Sequence, residues 1–386
     1  MPEISEIRGE GVIRTLPSAI GILAAQPLAG GTLAFFPESH GILRMGSYGV
    51  AGEAPEDDTV YGDGSDFTLH LVGQSNQTIT AIIDHDPLPF SQGTVTEINE
   101  AEQWFKFTVD DGYPTPEADW ESAKIIPFRN GEMVPCPLNR LDDVIADKYY
   151  VDGLGEVLAE MLVGDRVAIP PRTPYHAVSV NGCSNLTLNL QIRSSWNLGV
   201  YLVDCDDIVV NVTVESPPDR LLSTNADGVR CFNCNGITAN IYVTKCGDDA
   251  FNFHGTSGNP EPPAVGRCVG LTLTGKCERN YGAGAKFSGF SILCRDFVAQ
   301  NNLGVGIHAG EDSVSFDSGP PLEDDEVTIG PGVVLLGNGT TLEEYPSMIA
   351  AEELDLDPAT EPIVANVTGD IITPVVEEIS YLVGTV

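Results

Sequence analysis

Between residues 183 and 307 apolar side chains recur at every second position in short runs, and Gly, Asn and Asp separate the runs. One pattern, Cys-x-x-apolar-x-apolar, occurs five times, at Cys183-Ser-Asn-Leu186-Thr-Leu188, Cys205-Asp-Asp-Ile208-Val-Val210, Cys234-Asn-Gly-Ile237-Thr-Ala239, Cys268-Val-Gly-Leu271-Thr-Leu273 and Cys294-Arg-Asp-Phe297-Val-Ala299. The copies are 22, 29, 34 and 26 residues apart. Short alternating strands at a variable interval near 22 residues predict a parallel β-solenoid, in which each coil adds strands and extra residues loop out. A second strand recurs within each coil, at Gly199-Val200-Tyr-Leu202, Gly228-Val229-Arg-Cys231, Ala250-Phe251-Asn-Phe253, Gly284-Ala285-Lys-Phe287 and Gly304-Val305-Gly-Ile307. Alternation by two turns its apolar members inward. Tyr201, Arg230, Asn252, Lys286 and Gly306 then form one outer row, and Val203, Phe232, His254, Ser288 and His308 the next.

Outside the coils the pattern is coarser. Residues 1–125 predict a separate β-rich attachment domain, with strand-like runs at 68–72, 78–83 and 104–109. A linker and a capping helix are expected over 126–165, the helix between Leu141 and Leu162, where it would close the open end of the solenoid. The parallel β-helix occupies 166–340, and an acidic segment with some strand character comes after it over 341–386. On this division a fragment starting near Met133 should keep the solenoid. The fold class is therefore all-β: a right-handed parallel β-helix with an amino-terminal β-rich domain.

Composition narrows the functional classes. The chain of 386 residues has 19 Lys plus Arg against 56 Asp plus Glu, a formal net charge of −37. Nucleic-acid binding needs a basic surface, so that class is excluded. Only six residues are lysines, and no Lys or Arg follows Arg295. Such charge keeps a protein hydrated and fits saline surroundings. Residues 15–37 are uncharged but interrupted by Pro17, Pro27 and three glycines, which suits neither a signal peptide nor membrane insertion. The expected location is a virion or the extracellular space without a signal peptide, with the cytoplasm during synthesis.

The nine cysteines are odd in number, and Cys231-Phe-Asn-Cys234 is an isolated pair without the partners of a zinc site. They read as buried, reduced core residues stacked coil on coil.

Asn225-Ala-Asp227-Gly228 and Gly247-Asp248-Asp249 place Asp227 and Asp249 22 residues apart, one coil, each just before the recurring strand. Asp before Gly is ordinary turn chemistry. Like charges stacked on neighbouring rungs, however, raise one another's pKa, and paired carboxyls of different protonation are what glycoside hydrolysis uses. Tyr201, Arg230, Asn252, His254, Lys286 and His308 gather beside them as candidate sugar-binding groups.

These residues resemble a known group. Asn-Ala-Asp-Gly at 225–228 followed by Gly-Asp-Asp at 247–249 is similar to the right-handed β-helix glycosidases of the polygalacturonase type, and Asp248-Asp-Ala-Phe-Asn252-Phe-His254-Gly255 is similar to the β-helix alpha-1,3-galactosidases. The resemblance covers about 170–340 and implies an inverting hydrolase with Asp248 as general acid and with Asp227 and Asp249 holding the water. Where polygalacturonases carry Gly-His-Gly and Arg-Ile-Lys, this chain has Gly284-Ala-Lys286 and Gly304-Val-Gly-Ile-His308, so polygalacturonate is not the implied substrate. A β region, a solenoid and no export signal also resemble a viral tailspike or capsid appendage.

The expected function is inverting hydrolysis of a surface polysaccharide or glycan; a non-catalytic virion protrusion is the alternative. A lyase would require a base and a cation-neutralised uronate, and no dedicated calcium loop is visible. No cofactor or metal is expected. The expected partners are a polysaccharide, other virion proteins and further copies of the chain.

Overall fold

In the computed structural model the described residues run from 69 to 338, less 77, 86–88, 118–119, 121–122, 137–139, 153–155, 172–175, 255–267, 288–289, 310–326 and 337; short strands at 12–15, 27–28, 31–35, 43–46, 354–356 and 363–365 add to them. The architecture is a right-handed parallel β-helix, the hand that right-twisted strands impose on parallel crossovers. Among the described residues eight strands stack in parallel along one wall: Leu43–Gly46, Leu69–Val72, Val178–Asn181, Val200–Val203, Val229–Phe232, Phe251–His254, Ala285–Phe287 and Ile307–Ala309. A second wall stacks Thr78–His85, Thr187–Ile192, Val209–Val214, Asn235–Thr244, Val269–Glu278 and Phe290–Gln300. Single-residue bridges Ser195↔Thr224↔Cys246 mark a third.

The turn residues seen in the sequence are the corners. Gly73, Gly182, Asp204 and Asn233 come after successive strands of the first wall in the left-handed conformation, and Asn76, Asn185, Asp207, Gly236 and Gly270 form a second such column before the other wall. Only Gly, Asn and Asp take that conformation at low cost, so the polar punctuation between apolar runs sets where each coil bends. Inside, Leu71, Val180, Leu202, Cys231, Phe253 and Phe287 stack rung on rung and are fully buried.

Three sequence expectations about the coils change. Cys183, Cys205, Cys234 and Cys268 do lie in one buried row, but the ladder pairs Cys294 with Leu273. The 11-residue strand Phe290–Gln300 carries a register shift there, and continued apolar alternation reproduces the repeat's spacing out of phase. In the first wall Lys286 pairs with His308, so the fifth copy begins at Gly306, and His308 rather than Gly306 belongs to the first outer row. Finally, Leu69–Val72 and Thr78–His85 are solenoid strands, not part of a separate amino-terminal unit.

After these two strands the chain makes an insertion, a seven-stranded antiparallel sheet built from strands between Ser91 and Ile169. The stretch expected to be a capping helix instead forms the hairpin Leu141–Ile145 and Lys148–Val151, then a single turn of helix at Glu156–Glu160. Val144, Ile145, Tyr149, Tyr150 and Val151 are β-branched or aromatic, and Ala146 turns in the left-handed region, which favours strand over helix. Phe90, Ile126, Phe128, Met133 and Ala168 of this sheet pack with Leu222 and Leu303 of the coils, fixing the insertion against the turns that carry the acidic residues.

Candidate active site

Asp227 and Asp249 each precede a strand of the first wall, and the register Val229↔Phe251 makes them neighbours on adjacent coils. Asp248 sits in the same turn, and oxygen atoms of Asp227, Asp248 and Asp249 lie within 4.8 Å of one another. The turns approach closely because Gly247 has no side chain: a Cβ there would lie 2.5 Å from the Asn225 carbonyl oxygen. Asn225 holds its own turn by donating from Nδ2 to the Pro89 and Pro171 carbonyls, at 2.7 and 2.9 Å.

Each carboxyl has a different environment. Asp227 is 3% exposed, and its Oδ2 is buried without a hydrogen-bond partner, the Arg230 Nε being 3.9 Å away. Burial, followed by the charges of Asp248 and Asp249, raises its pKa to about 7. Asp249, 2% exposed, accepts from the Ala283 backbone N–H at 2.7 Å and pairs with Lys286 Nζ at 3.1 Å. Asp248 is the most open of the three, its side chain 22% exposed, and it pairs with Lys124 Nζ at 2.8 Å. The spacing of the oxygens would suit a divalent cation, but the two ammonium groups already supply the counter-charge a cation would bring.

A polar relay runs from the outer rows into this cluster. Arg230 donates to His254 Nε2 at 3.0 Å, so the proton of the neutral ring lies on Nδ1, which donates to Asn252 Oδ1 at 2.7 Å. Asn252 Nδ2 in turn donates to Asp249 Oδ2 at 3.4 Å. Burial and the cations Arg230 and Lys286 lower the His254 pKa to about 3, so the imidazole is neutral across the physiological range.

Of the residues expected to bind sugar, Arg230, Asn252 and Lys286 contact the carboxylates directly, and His254 is joined to them through Arg230 and Asn252. Tyr201 lies one rung before Arg230, its ring edge-on to His176 at 4.9 Å, and His308 lies buried one rung beyond Lys286. These two therefore flank the cluster, one on each side along the solenoid axis. Lys124 is the member that sequence reasoning missed. It comes from the inserted sheet, is 3% exposed, donates to the Gly247 carbonyl at 2.6 Å and stands over the Tyr281 ring at 4.8 Å. Its signal was a lone ammonium inside the apolar run Ala123-Lys124-Ile125-Ile126.

No protein-family model matches the sequence, and no curated protein matches it. Among solved structures the chain is similar to a Family 28 exopolygalacturonase of Yersinia enterocolitica, at 11% identity and a TM-score of 0.31 over 78% of this chain and 61% of that one. A tailspike protein from Pseudomonas phage LKA1 shares 13% identity at a TM-score of 0.22, covering 78% and 69% of the two chains. The tailspike of Acinetobacter baumannii bacteriophage AP22, solved with a capsular saccharide, shares 10% at 0.17, covering 80% and 68%. The chain thus spans about 61% of the length of the exopolygalacturonase. These neighbours are pectin-lyase-like β-helix proteins; at such low similarity the chemistry of the site rests on its own residues.

Proposed function

We propose that the chain hydrolyses a glycosidic bond of a polysaccharide at Asp227, Asp248 and Asp249. The observation that carries this reading is the division of labour among the three: one carboxyl that retains its proton to about pH 7 beside two that are each fixed by a lysine. A general acid has to be protonated, and its partner base charged, at the same pH. Asp227 supplies the proton to the departing oxygen, while Asp248 and Asp249 hold and activate water. This exchanges the roles of Asp227 and Asp248 implied by the family resemblance, because Lys124 pairs with Asp248 and, among the described residues, none donates to Asp227 Oδ2.

The usual inverting pair stands about 6.5–9.5 Å apart to admit a water between two carboxyls. The oxygens of this cluster lie closer than that, within 4.8 Å of one another, and the water would be held between the two lysine-paired carboxylates. A water that donates to two oxygens at about 2.8 Å each spans roughly 4.5 Å between them, close to the 4.8 Å limit of this cluster. Inversion is the stereochemistry the family resemblance implies, and the anomeric form of the first product, followed by proton NMR, reports it.

A second reading has one specific observation in its favour. Lys124 ties the inserted sheet to the coil at Gly247 and Asp248, as a structural ion pair would in a rigid, non-catalytic virion protrusion. Asp227→Asn and Asp248→Asn separate the two. Hydrolysis predicts that both lower reducing-end release by roughly 10² to 10⁴, with polysaccharide binding retained. No release by the native chain across a broad set of capsular and cell-wall polysaccharides, or full activity in both variants, would overturn it.

A further inference from the structure

The second wall carries a groove that the carboxylate cluster does not use. It has a volume of about 480 Å³ and is lined on its polar side by Thr80, Asn189, Asn211, Asn240, Thr213 and Tyr242. The ladder aligns Thr80, Asn189, Asn211 and Asn240 in one row, and places Gln191, Thr213 and Tyr242 in a second row two residues along. In a chain with 56 acidic residues, none of the groove's ten lining residues is charged.

Asparagines stacked on successive coils can be purely structural, each amide bonding the next. The interior of this molecule has such a ladder for comparison. Asn280 Nδ2 donates to Asn302 Oδ1 at 2.8 Å, Asn302 Nδ2 to Asn338 Oδ1 at 2.8 Å, and Asn338 Nδ2 to the Ala299 carbonyl at 2.8 Å, while backbone N–H groups occupy the carbonyl oxygens. All three are at most 1% exposed. The outer row differs. Asn211 Nδ2 donates to Asn189 Oδ1 at 3.0 Å, and Asn240 Oδ1 accepts a longer bond from Thr274 at 3.4 Å. One bond per amide leaves donors and acceptors facing the groove, since each amide offers two of each.

We infer that this groove binds a neutral stretch of a glycan chain, at a site separate from the carboxylate cluster and on the other wall of the solenoid. Amides and hydroxyls on successive coils, about 4.8 Å apart, offer both donor and acceptor to sugar hydroxyls. The Tyr242 ring, fixed through its hydroxyl to Glu278 at 3.0 Å, supplies a face for the apolar side of a ring. The lining itself carries no cation, and the ammonium next along the second row, Lys276 one rung beyond Tyr242, is already paired with Glu278 at 3.0 Å, so an anionic sugar would face a protein of charge −37 without a free counter-charge in the lining.

Calorimetry on the full chain tests this, with maltoheptaose, cellohexaose, xylohexaose and a galactan fragment as neutral probes and oligogalacturonate as the anionic one. At least one neutral probe should bind, with a Kd unchanged between low and high salt. Asn211→Leu should weaken it by about tenfold or more, the equivalent of one or two lost hydrogen bonds. Should that variant misfold, Thr213→Val, which removes one hydroxyl at constant shape, should weaken binding severalfold. Asp227→Asn should leave the Kd within about twofold, which separates failure of the groove from failure of the hydrolytic reading. Failure of every neutral probe to bind at millimolar concentration would overturn the assignment. So would equal binding of oligogalacturonate, or indifference of binding to both groove variants.

Discussion

Two residues of the cluster impose opposite pH dependences on stability. Asp227 has a folded-state pKa raised from 3.8 to about 7, so between those values the folded protein holds a proton that the unfolded chain releases. Its contribution is present below about pH 4 and is lost as pH rises towards 7. His254 is lowered from 6.5 to about 3, so its contribution is present above about 6.5 and is lost as pH falls towards 3. The two slopes oppose each other between pH 4 and 6.5. Asp227→Asn removes one of them. The variant should be more stable than the native chain at pH 8, by a few kcal/mol at most, and should lose stability more steeply on acidification; urea unfolding at pH 8, 6 and 4.5 measures both. Equal slopes for the two proteins would contradict the assignment. At this scale the acidic triad was legible because 22 residues is one coil, so spacing alone stacked Asp227 on Asp249. Lys124 was not legible: its contact with Asp248 spans a separation in sequence that no local pattern encodes.

Each coil closes through a few small residues and buried thiols. Gly228 and Gly247 stand where a methyl group would meet neighbouring backbone oxygens at 2.7 and 2.5 Å. Gly247→Ala should part the Asn225 and Asp248 turns and cost about 1–3 kcal/mol, read as a melting temperature lower by several degrees. It should reduce hydrolysis as well, since it separates the carboxyls. All nine cysteines are free and buried, and burial raises the thiols of Cys246 and Cys268 to about 12. A thiol reagent should therefore label none of them in the folded protein and all nine after denaturation; rapid labelling of the native state would contradict the stacked row. Alternation by two exposed this element pattern in the sequence, and the corners were visible as Gly, Asn and Asp. The register of the last coil was not, because apolar alternation through Phe290–Gln300 permits more than one phase and only the bulge selects among them.

At the scale of the whole molecule, the antiparallel sheet is threaded between the coil strands Thr78–His85 and Val178–Asn181, and its residues meet the coils through apolar packing and ion pairs. Arg279 from the coils pairs with Glu132 of the sheet at 3.4 Å, and Gln92 of the sheet donates to the Asp219 carbonyl at 2.9 Å. A fragment starting near Met133 would lose the coil strands Leu69–Val72 and Thr78–His85 and the sheet strands Ser91–Asn99, Trp104–Val109 and Ile126–Arg129. It should aggregate rather than remain soluble, which size-exclusion chromatography would show; a monodisperse fragment would mean that the coils stand without the sheet. Insertion was hidden in the sequence because strands of both units alternate alike, and only pairing partners tell them apart. Lys124→Met removes the sheet's ammonium from Asp248 while keeping the apolar stem, and should lower stability by about 1–3 kcal/mol and reduce hydrolysis together. The sheet thereby contributes one charge to a cluster whose other members belong to the coils. A proton held among three carboxylates is tested most directly by carboxyl-carbon NMR of Asp227 across the pH range: a midpoint near 7 is the predicted result, and a midpoint near the ordinary value of about 4 would contradict it.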